Sequence, residues 1–544
     1  MTIQALPDRP DLDQLRRQAK ELRDAARRGD PAAIARFRRY FQPELPVTLA
    51  RAQLALARDL GFPSWPKLKA EVDRRTMDRT ERARAFLYAS VTGDVPGDHT
   101  VGAHRAVELL RDDPGLAGHD LRTAAVLGEV DRVRTALAAD PGVAIRPDSA
   151  SGWPPLLFVC NSRWHRLDPA RADGLVATAE LLIEAGASPG AAVGQEALSG
   201  YCSALYAAAG LANNPGLARL LLDRGADPDT PSALYHTAFH PDHECLALLL
   251  GRGASAEGHD ALAAAISVRD TGAVRLLLDA GVDPRVPLPP QALGESYAPE
   301  PPTGPVYAAI EFDGSLELVE LLLQRGAAPH APGQTGWSPR QLAARRGRRD
   351  VAALLDRWGA RDDSTDVDRF LAACTSADGD RARAMLAAEP GLLDRLTEAD
   401  RGVLVDAAAA GATEAVALMH DLGFPLEVHS GPDGATALHA AAGVGAADVV
   451  QLLLDRGADL EAPDTTWHAT PLCWATVGSG LGLGRVPGSD WVTTVETLIA
   501  AGAATENVWV EGKPPSAEVA AALGSHGIGP PDDPPADSAG RPPT

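Results

Sequence analysis

The chain has 544 residues, too many for one compact core, so length alone points to several domains or to an array that grows by repetition. Hydrophobic residues make up 45 % and aromatics only 5 %, the composition of a core of Ala, Leu and Val small enough to let helices approach closely. The formal charge of -22 is unevenly spread: residues 1–84 carry 19 Lys/Arg against 12 Asp/Glu, leaving 32 against 61, so a leader near +7 precedes an array near -29. An acidic array repels phosphate backbones, which disfavours nucleic-acid binding by most of the chain and leaves basic protein surfaces as the better match. The opening MTIQALPDRPDLDQ has no apolar h-region, and no later stretch approaches the roughly 18 uninterrupted apolar residues of a membrane span. A cytoplasmic protein without membrane contact is expected. Five cysteines, Cys160, Cys202, Cys245, Cys374 and Cys473, are scattered without a CxxC pair and fit packed, reduced thiols.

Residues 1–81 read as a basic helical leader with helix-pair rhythm, in LRRQAKELRDAARRGDPAAIARFRRYF and LARAQLALARDLGFPSWPKLKAEVDRR. Its Arg-rich helices are either a solvated face or a docking surface for something acidic. Weaker helix pairs follow at 82–116 and 120–143, and a stronger pattern begins at Ser151. That pattern closes at Gly186, Gly225, Gly253, Gly281, Gly326, Gly359, Gly423, Gly457 and Gly502, with spacings of 39, 28, 28, 45, 33, 64, 34 and 45. The interval of 64 holds a weaker unit from Phe370, which leaves a period near 33.

Residues 436–460, TALHAAAGVGAADVVQLLLDRGADL, supply the template. Thr436 suits the N-cap of a short helix whose thin apolar face is Leu438, Ala441 and Ala442, and Gly443 with Gly445 ends it. Asp448 suits the first turn of a second helix, whose buried stripe is Val449, Val450, Leu452, Leu453 and Leu454. Gly457 stands where a left-handed C-cap is needed. Through TALHAAA at Thr436, TPLCWA at Thr470, SPRQLAARRG at Ser338 and the LLL-x-x-GA endings, the chain resembles the ankyrin-repeat family over residues 151–504. The resemblance implies an all-α solenoid of stacked antiparallel helix pairs, with finger loops on one edge and the first helices lining a concave face. It implies no chemistry. The leader resembles the helical leader of many bacterial ankyrin-repeat proteins, through AQLALARDLGFPSWPKLKAEV. The expected organisation is a leader at 1–81, a first array at 82–362 that is clear from 151, a second array at 363–527, and a disordered Pro-rich tail at 528–544.

Departures from the template are where a specific role would show. The units closing at Gly186 and Gly502 carry about 11 extra residues between their helices, as NSRWHRLDPARADG from Asn161 and VGSGLGLGRVPGSD from Val477. Both inserts are expected to project. Trp164, His165 and Arg166 in the first, and Arg485 and Trp491 at the second, are either interface anchors or indoles packed back onto the array. The loop 286–303 is Pro-rich, a spacer or a ligand for a partner. The run RDDSTDVD at 361–368 follows a unit with Arg345, Arg346, Arg348 and Arg349, and reads as the polar cap of one array before another. His236, His240, His243 and Cys245 form the one His/Cys cluster; the template places His243 at a helix start and Cys245 on a buried stripe, which argues against a metal. GSGLGLG from Gly478 lacks the Lys-Ser/Thr of a phosphate loop.

The reading that follows is a non-enzymatic scaffold without cofactor or metal. Its partner is a protein, held by exposed inner positions Phe158, His236, Phe239, His240, Phe312, Arg345, Arg346, Val444 and Trp474 and by finger positions Trp153, Trp337, Asp433 and Trp467. Two rival readings are a basic leader that binds nucleic acid or another acidic surface, with the repeats as a regulatory arm, and a metal-dependent enzyme using His236 and His240.

Overall fold

The computed structural model describes residues 6–7, 10–41, 47–62, 65–92, 99–194, 201–255, 259–289, 303–333, 336–431, 433–481, 488–505, 508–510, 513 and 515–529. Arg485, most of the Pro-rich loop (290–302) and the tail from 530 lie outside them. The chain divides into two compact units, Met1–Asp78 with Ala373–Thr544, and Arg79–Ala372.

In the unit Arg79–Ala372, helices pair in sequence order from Arg79–Ala89 with His99–Asp112 to Pro339–Arg345 with Arg349–Arg357. From Leu121–Val126 onward, first helices pack on first helices and second on second, giving two parallel rows. The array is therefore all-α and solenoidal, with short hairpins at its finger edge: Ala192–Val193 pairs antiparallel with Cys202–Ser203, and Leu288 bridges Thr303.

The other unit holds the leader and the later repeats. The leader folds as Leu12–Arg27 with Pro31–Arg38 and Leu49–Asp59 with Trp65–Thr76 around its own core, which includes Leu15, Leu22, Phe37, Leu56 and Leu68. Later pairs include Val403–Ala409 with Thr413–Asp421, Ala437–Gly443 with Ala447–Asp455 and Pro471–Leu481 with Trp491–Ala500. Val449, Val450 and Leu453 of the template stripe are buried, whereas Leu452 and Leu454 sit half-buried at its margins. Gly478 and Gly443 are small because their helices nearly touch: a Cβ on Gly478 would fall 2.0 Å from the Gly443 carbonyl oxygen. The glycine run that begins there starts inside a helix, not in a phosphate loop.

Local chemistry explains each pair. Thr436 Oγ1 and His439 Nδ1 meet at 2.8 Å in a capping box, and His439 Nε2 reaches the Ala469 carbonyl of the next finger at 2.9 Å. Successive fingers are also latched by carboxylates that accept backbone N–H groups: Asp229 from Ser255 (2.5 Å), Glu427 from Asp459 (2.9 Å) and Glu461 from Ala504 (2.6 Å). All nine closing glycines adopt the expected left-handed conformation, with φ from +81° to +105°. A Cβ added at Gly457 would meet nothing within 4 Å, so Gly457→Ala should cost only backbone strain, about 1–2 kcal/mol. At the turn between paired helices Gly411 and Gly445 take the same conformation, but Ala377 also does, with φ +53°. Ala377→Gly should therefore raise stability, by up to about 1 kcal/mol. Urea midpoints of the two variants moving in opposite directions check both expectations.

Candidate functional site

The exposed side of the first-helix row in Arg79–Ala372 is distinctive around residues 206–240. Tyr206–Leu211 is a π-helical turn, with Ala212 N–H donating to Ala207 O (2.8 Å) and Asn214 N–H to Ala208 O (2.7 Å). Single π turns are frequent at functional sites, because the extra residue turns a carbonyl aside. Here the Gly210 carbonyl meets His240 Nε2 at 2.6 Å. Gly210 is small for a reason, since a Cβ there would lie 2.9 Å from the Cβ of His236. The His236 ring sits 4.8 Å from Tyr206 and 5.0 Å from Tyr235, and Tyr235 lies 5.1 Å from Phe239, all edge to face. His236 is further fixed by Tyr206 OH at 3.2 Å and the Ser232 carbonyl at 2.9 Å.

The first insert joins this face. It does not project as expected, because its start is zipped onto residues 90–92: Thr92 N–H donates to Asn161 O (2.9 Å), Arg163 Nε to Val91 O (2.6 Å) and Trp164 Nε1 to Ser90 Oγ (2.9 Å). Trp164 is 4 % exposed, 6.0 Å from Phe86 and capped by the Arg171 guanidinium at 5.5 Å. Half-buried His165 bonds Ser162 O at 3.0 Å and lies beside the backbone of Ala212 and Asn213. Arg166 is exposed and couples electrostatically to Asp242, which accepts Asn213 Nδ2 at 2.6 Å.

The His/Cys cluster is dispersed among separate partners. His236 serves Tyr206, His240 serves Gly210, His243 Nε2 meets Asp270 at 2.7 Å and Cys245 is buried. Among the described residues no group of three His, Cys, Asp or Glu side chains could hold a metal.

Burial pushes His165, His240 and His439 below the ordinary value of 6.5. The folded chain then binds fewer protons than the unfolded chain, so stability is complete above about pH 7 and falls as pH drops through 6.5. Melting temperature should decline from about pH 7.5 to about 5.5, and His439→Gln should flatten that decline. An unchanged slope in this variant would rule out His439 as a contributor.

Several expected surface residues are interior. Phe158 is wholly buried between Trp153 (5.3 Å) and Tyr88 (6.4 Å), because the upstream helix pairs stack over its helix. Arg345 is 5 % exposed: its Nε donates to Asp368 at 2.5 Å, and its guanidinium lies 3.8 Å from the centre of the half-buried Trp337 ring. The acidic run at 361–368 is thus partly internal, since Asp368 is also buried. Arg346 is half-buried and donates to the Glu311 carbonyl (2.9 Å), while Phe312 packs half-buried on the core. At the second insert Trp491 is 9 % exposed and donates to Gly443 O at 3.0 Å, the packed-back alternative. Half-buried Trp474 donates to Asp464 at 2.8 Å. Trp467 alone among these indoles is largely exposed, at 60 %. Tyr206, Tyr235, Asp242 and Asp464 were not singled out from sequence; of these, Tyr235 and Asp242 lay in the segment of the His/Cys cluster.

Two rows of stacked helix pairs with hairpin fingers define a helical-repeat solenoid, a class whose surfaces serve recognition. A family model for ankyrin repeats matches residues 204–287, 370–464 and 404–480 in three copies, so the chain carries ankyrin repeats over these stretches. Ankyrin repeats are generally protein–protein interaction modules. Similar solved structures are the human ASB11 ankyrin repeat domain (21 % identity, 44 % of this chain and 98 % of that one, TM-score 0.32) and the ankyrin repeat domain of Bcl-3, a member of the IkappaB protein family (22 %, 43 % and 96 %, TM-score 0.32). No curated protein matches the chain. No described helix is long and apolar enough to cross a membrane.

Proposed function

We propose that this chain is a non-catalytic scaffold whose first-helix face in Arg79–Ala372 holds a protein partner, with Tyr235, His236, Phe239 and Arg166 at its centre. The observation that carries the reading is the run of rings from buried Tyr206 to half-buried Tyr235, His236 and Phe239, fixed edge to face and by hydrogen bonds before any partner arrives. Such preorganisation removes much of the ordering cost of association, and aromatic and Arg side chains dominate interface energetics. Five free, buried cysteines fit a reducing, cytoplasmic setting.

Docking by the basic leader receives less support, because Arg16, Arg23, Arg36, Arg39 and Arg75 already face carboxylates of the leader itself. The test is affinity capture from the native cell with the full chain and with Phe239→Ala, Tyr235→Ala and Arg166→Ala variants of unchanged melting temperature. A partner lost from all three variants is the expected result. Enrichment that ignores every substitution on this face would sink the reading.

A further inference from the structure

On the later repeats, we propose that the finger edge around Trp467 docks an extended, Lys/Arg-bearing segment of a protein partner, with the indole as its anchor. This deepens the scaffold reading and rests on it.

Trp467 is 60 % exposed, more than any other large hydrophobic side chain described, so it covers little of the turn beneath it. Yet it is held in place. Asp464, 1 % exposed, accepts the N–H groups of Thr466 (3.0 Å), Trp467 (2.5 Å) and Ala469 (3.3 Å), which fixes the fingertip backbone. The indole N–H reaches across to Asp433 of the preceding finger at 3.1 Å, which fixes the ring. An ordered indole left in water forgoes the hydrophobic gain of burial, and a partner that covers it recovers that gain without ordering cost.

Charge supplies the identity of the occupant. Glu427, Asp459 and Glu461 are exposed along the same edge with half-exposed Asp433. Against them stands Lys513, the one Lys or Arg among the described residues of the fingers 424–435, 458–470 and 503–515. Its ammonium lies 5.3 Å from the Trp467 ring centroid, so the ring already takes a cation from the next finger. The finger latches from Glu427 to Asp459 N and from Glu461 to Ala504 N hold these carboxylates at the repeat spacing, a rail suited to an extended chain.

The experiment uses the full chain and two labelled peptides of about 12 residues, one alternating Arg and Ser and one alternating Glu and Ser, followed by fluorescence anisotropy at low and at about 0.5 M salt. The Arg peptide should bind and the Glu peptide should not. Trp467→Ala should weaken binding at least about tenfold, with an unchanged melting temperature. Asp433→Asn with Glu461→Gln should weaken it several-fold and flatten the salt dependence. Equal binding by Trp467→Ala would overturn the proposal, as would binding of the Glu peptide. Concentration-dependent dimerisation abolished by Trp467→Ala would assign the edge to a second copy instead, also overturning it. If partner capture is lost on Phe239→Ala while peptide binding ignores Trp467→Ala, the scaffold reading stands and this proposal alone falls.

Discussion

Asp368→Ala should lower the stability of the repeat closing at Gly359 by about 3–5 kcal/mol, the cost of breaking a buried ion pair from one side. Asp368 is wholly buried and gathers Arg345 Nε (2.5 Å), Thr365 N (2.7 Å), Thr365 Oγ1 (2.8 Å) and Gln341 Nε2 (3.4 Å). Its removal takes from a guanidinium at 5 % exposure, packed on the face of Trp337, the carboxylate to which its Nε donates. Asp368→Asn keeps an acceptor but loses the charge, and should fall between the two. Replacing both partners, as Arg345→Met with Asp368→Leu, should be far milder than either single change, because neither charge then stays desolvated. Because a solenoid unfolds locally, hydrogen exchange of Pro339–Arg345 and Arg349–Arg357 is the sharper readout beside the urea midpoint. Wild-type protection in Asp368→Ala would mean the pair contributes nothing.

Trp164→Ala should be about as severe, at about 3–5 kcal/mol, through cavity formation at a buried indole. The ring ties its own helix to two other segments: at the end of Arg79–Ala89, Ser90 receives its N–H and Phe86 packs 6.0 Å away, and Arg171 lies over it at 5.5 Å. The loss should appear as early melting of the helices from Arg79 to Glu184. A variant that melts like the parent but no longer binds a partner would restore Trp164 as an interface anchor.

The repeat frame was legible because its punctuation is conformational. A left-handed C-cap strains any residue with a Cβ, so Gly457 and its eight counterparts announce their positions without tertiary information. The directions of His243 and Cys245 were legible too, since the template fixes which face each meets. Burial was not. Phe158 occupies a position that would be exposed in an isolated repeat, and part of its covering comes from Tyr88, in an upstream helix 70 residues earlier. Asp368 sits in a run whose composition reads as solvated, and its interior role depends on Arg345, 23 residues earlier. The π turn at Tyr206–Leu211 has no signature in YAAAGL, and the need for glycine at position 210 shows only once the Cβ of His236, 26 residues later, is seen to lie against it. What a single repeat determines can be read locally, whereas what neighbours impose cannot.

The carboxylate latches between fingers have a mechanical consequence. Asp229, Glu427 and Glu461 each tie the loop of one repeat to the amide of the next, outside the hydrophobic core. Across the fingers tied by Glu427 and Glu461, tension applied at one fingertip is therefore shared, and that stretch responds as a jointed strip rather than as independent flaps. Replacing Glu427 and Glu461 by alanine would uncouple the joints while leaving the stacked helices in place, softening the strip without melting it.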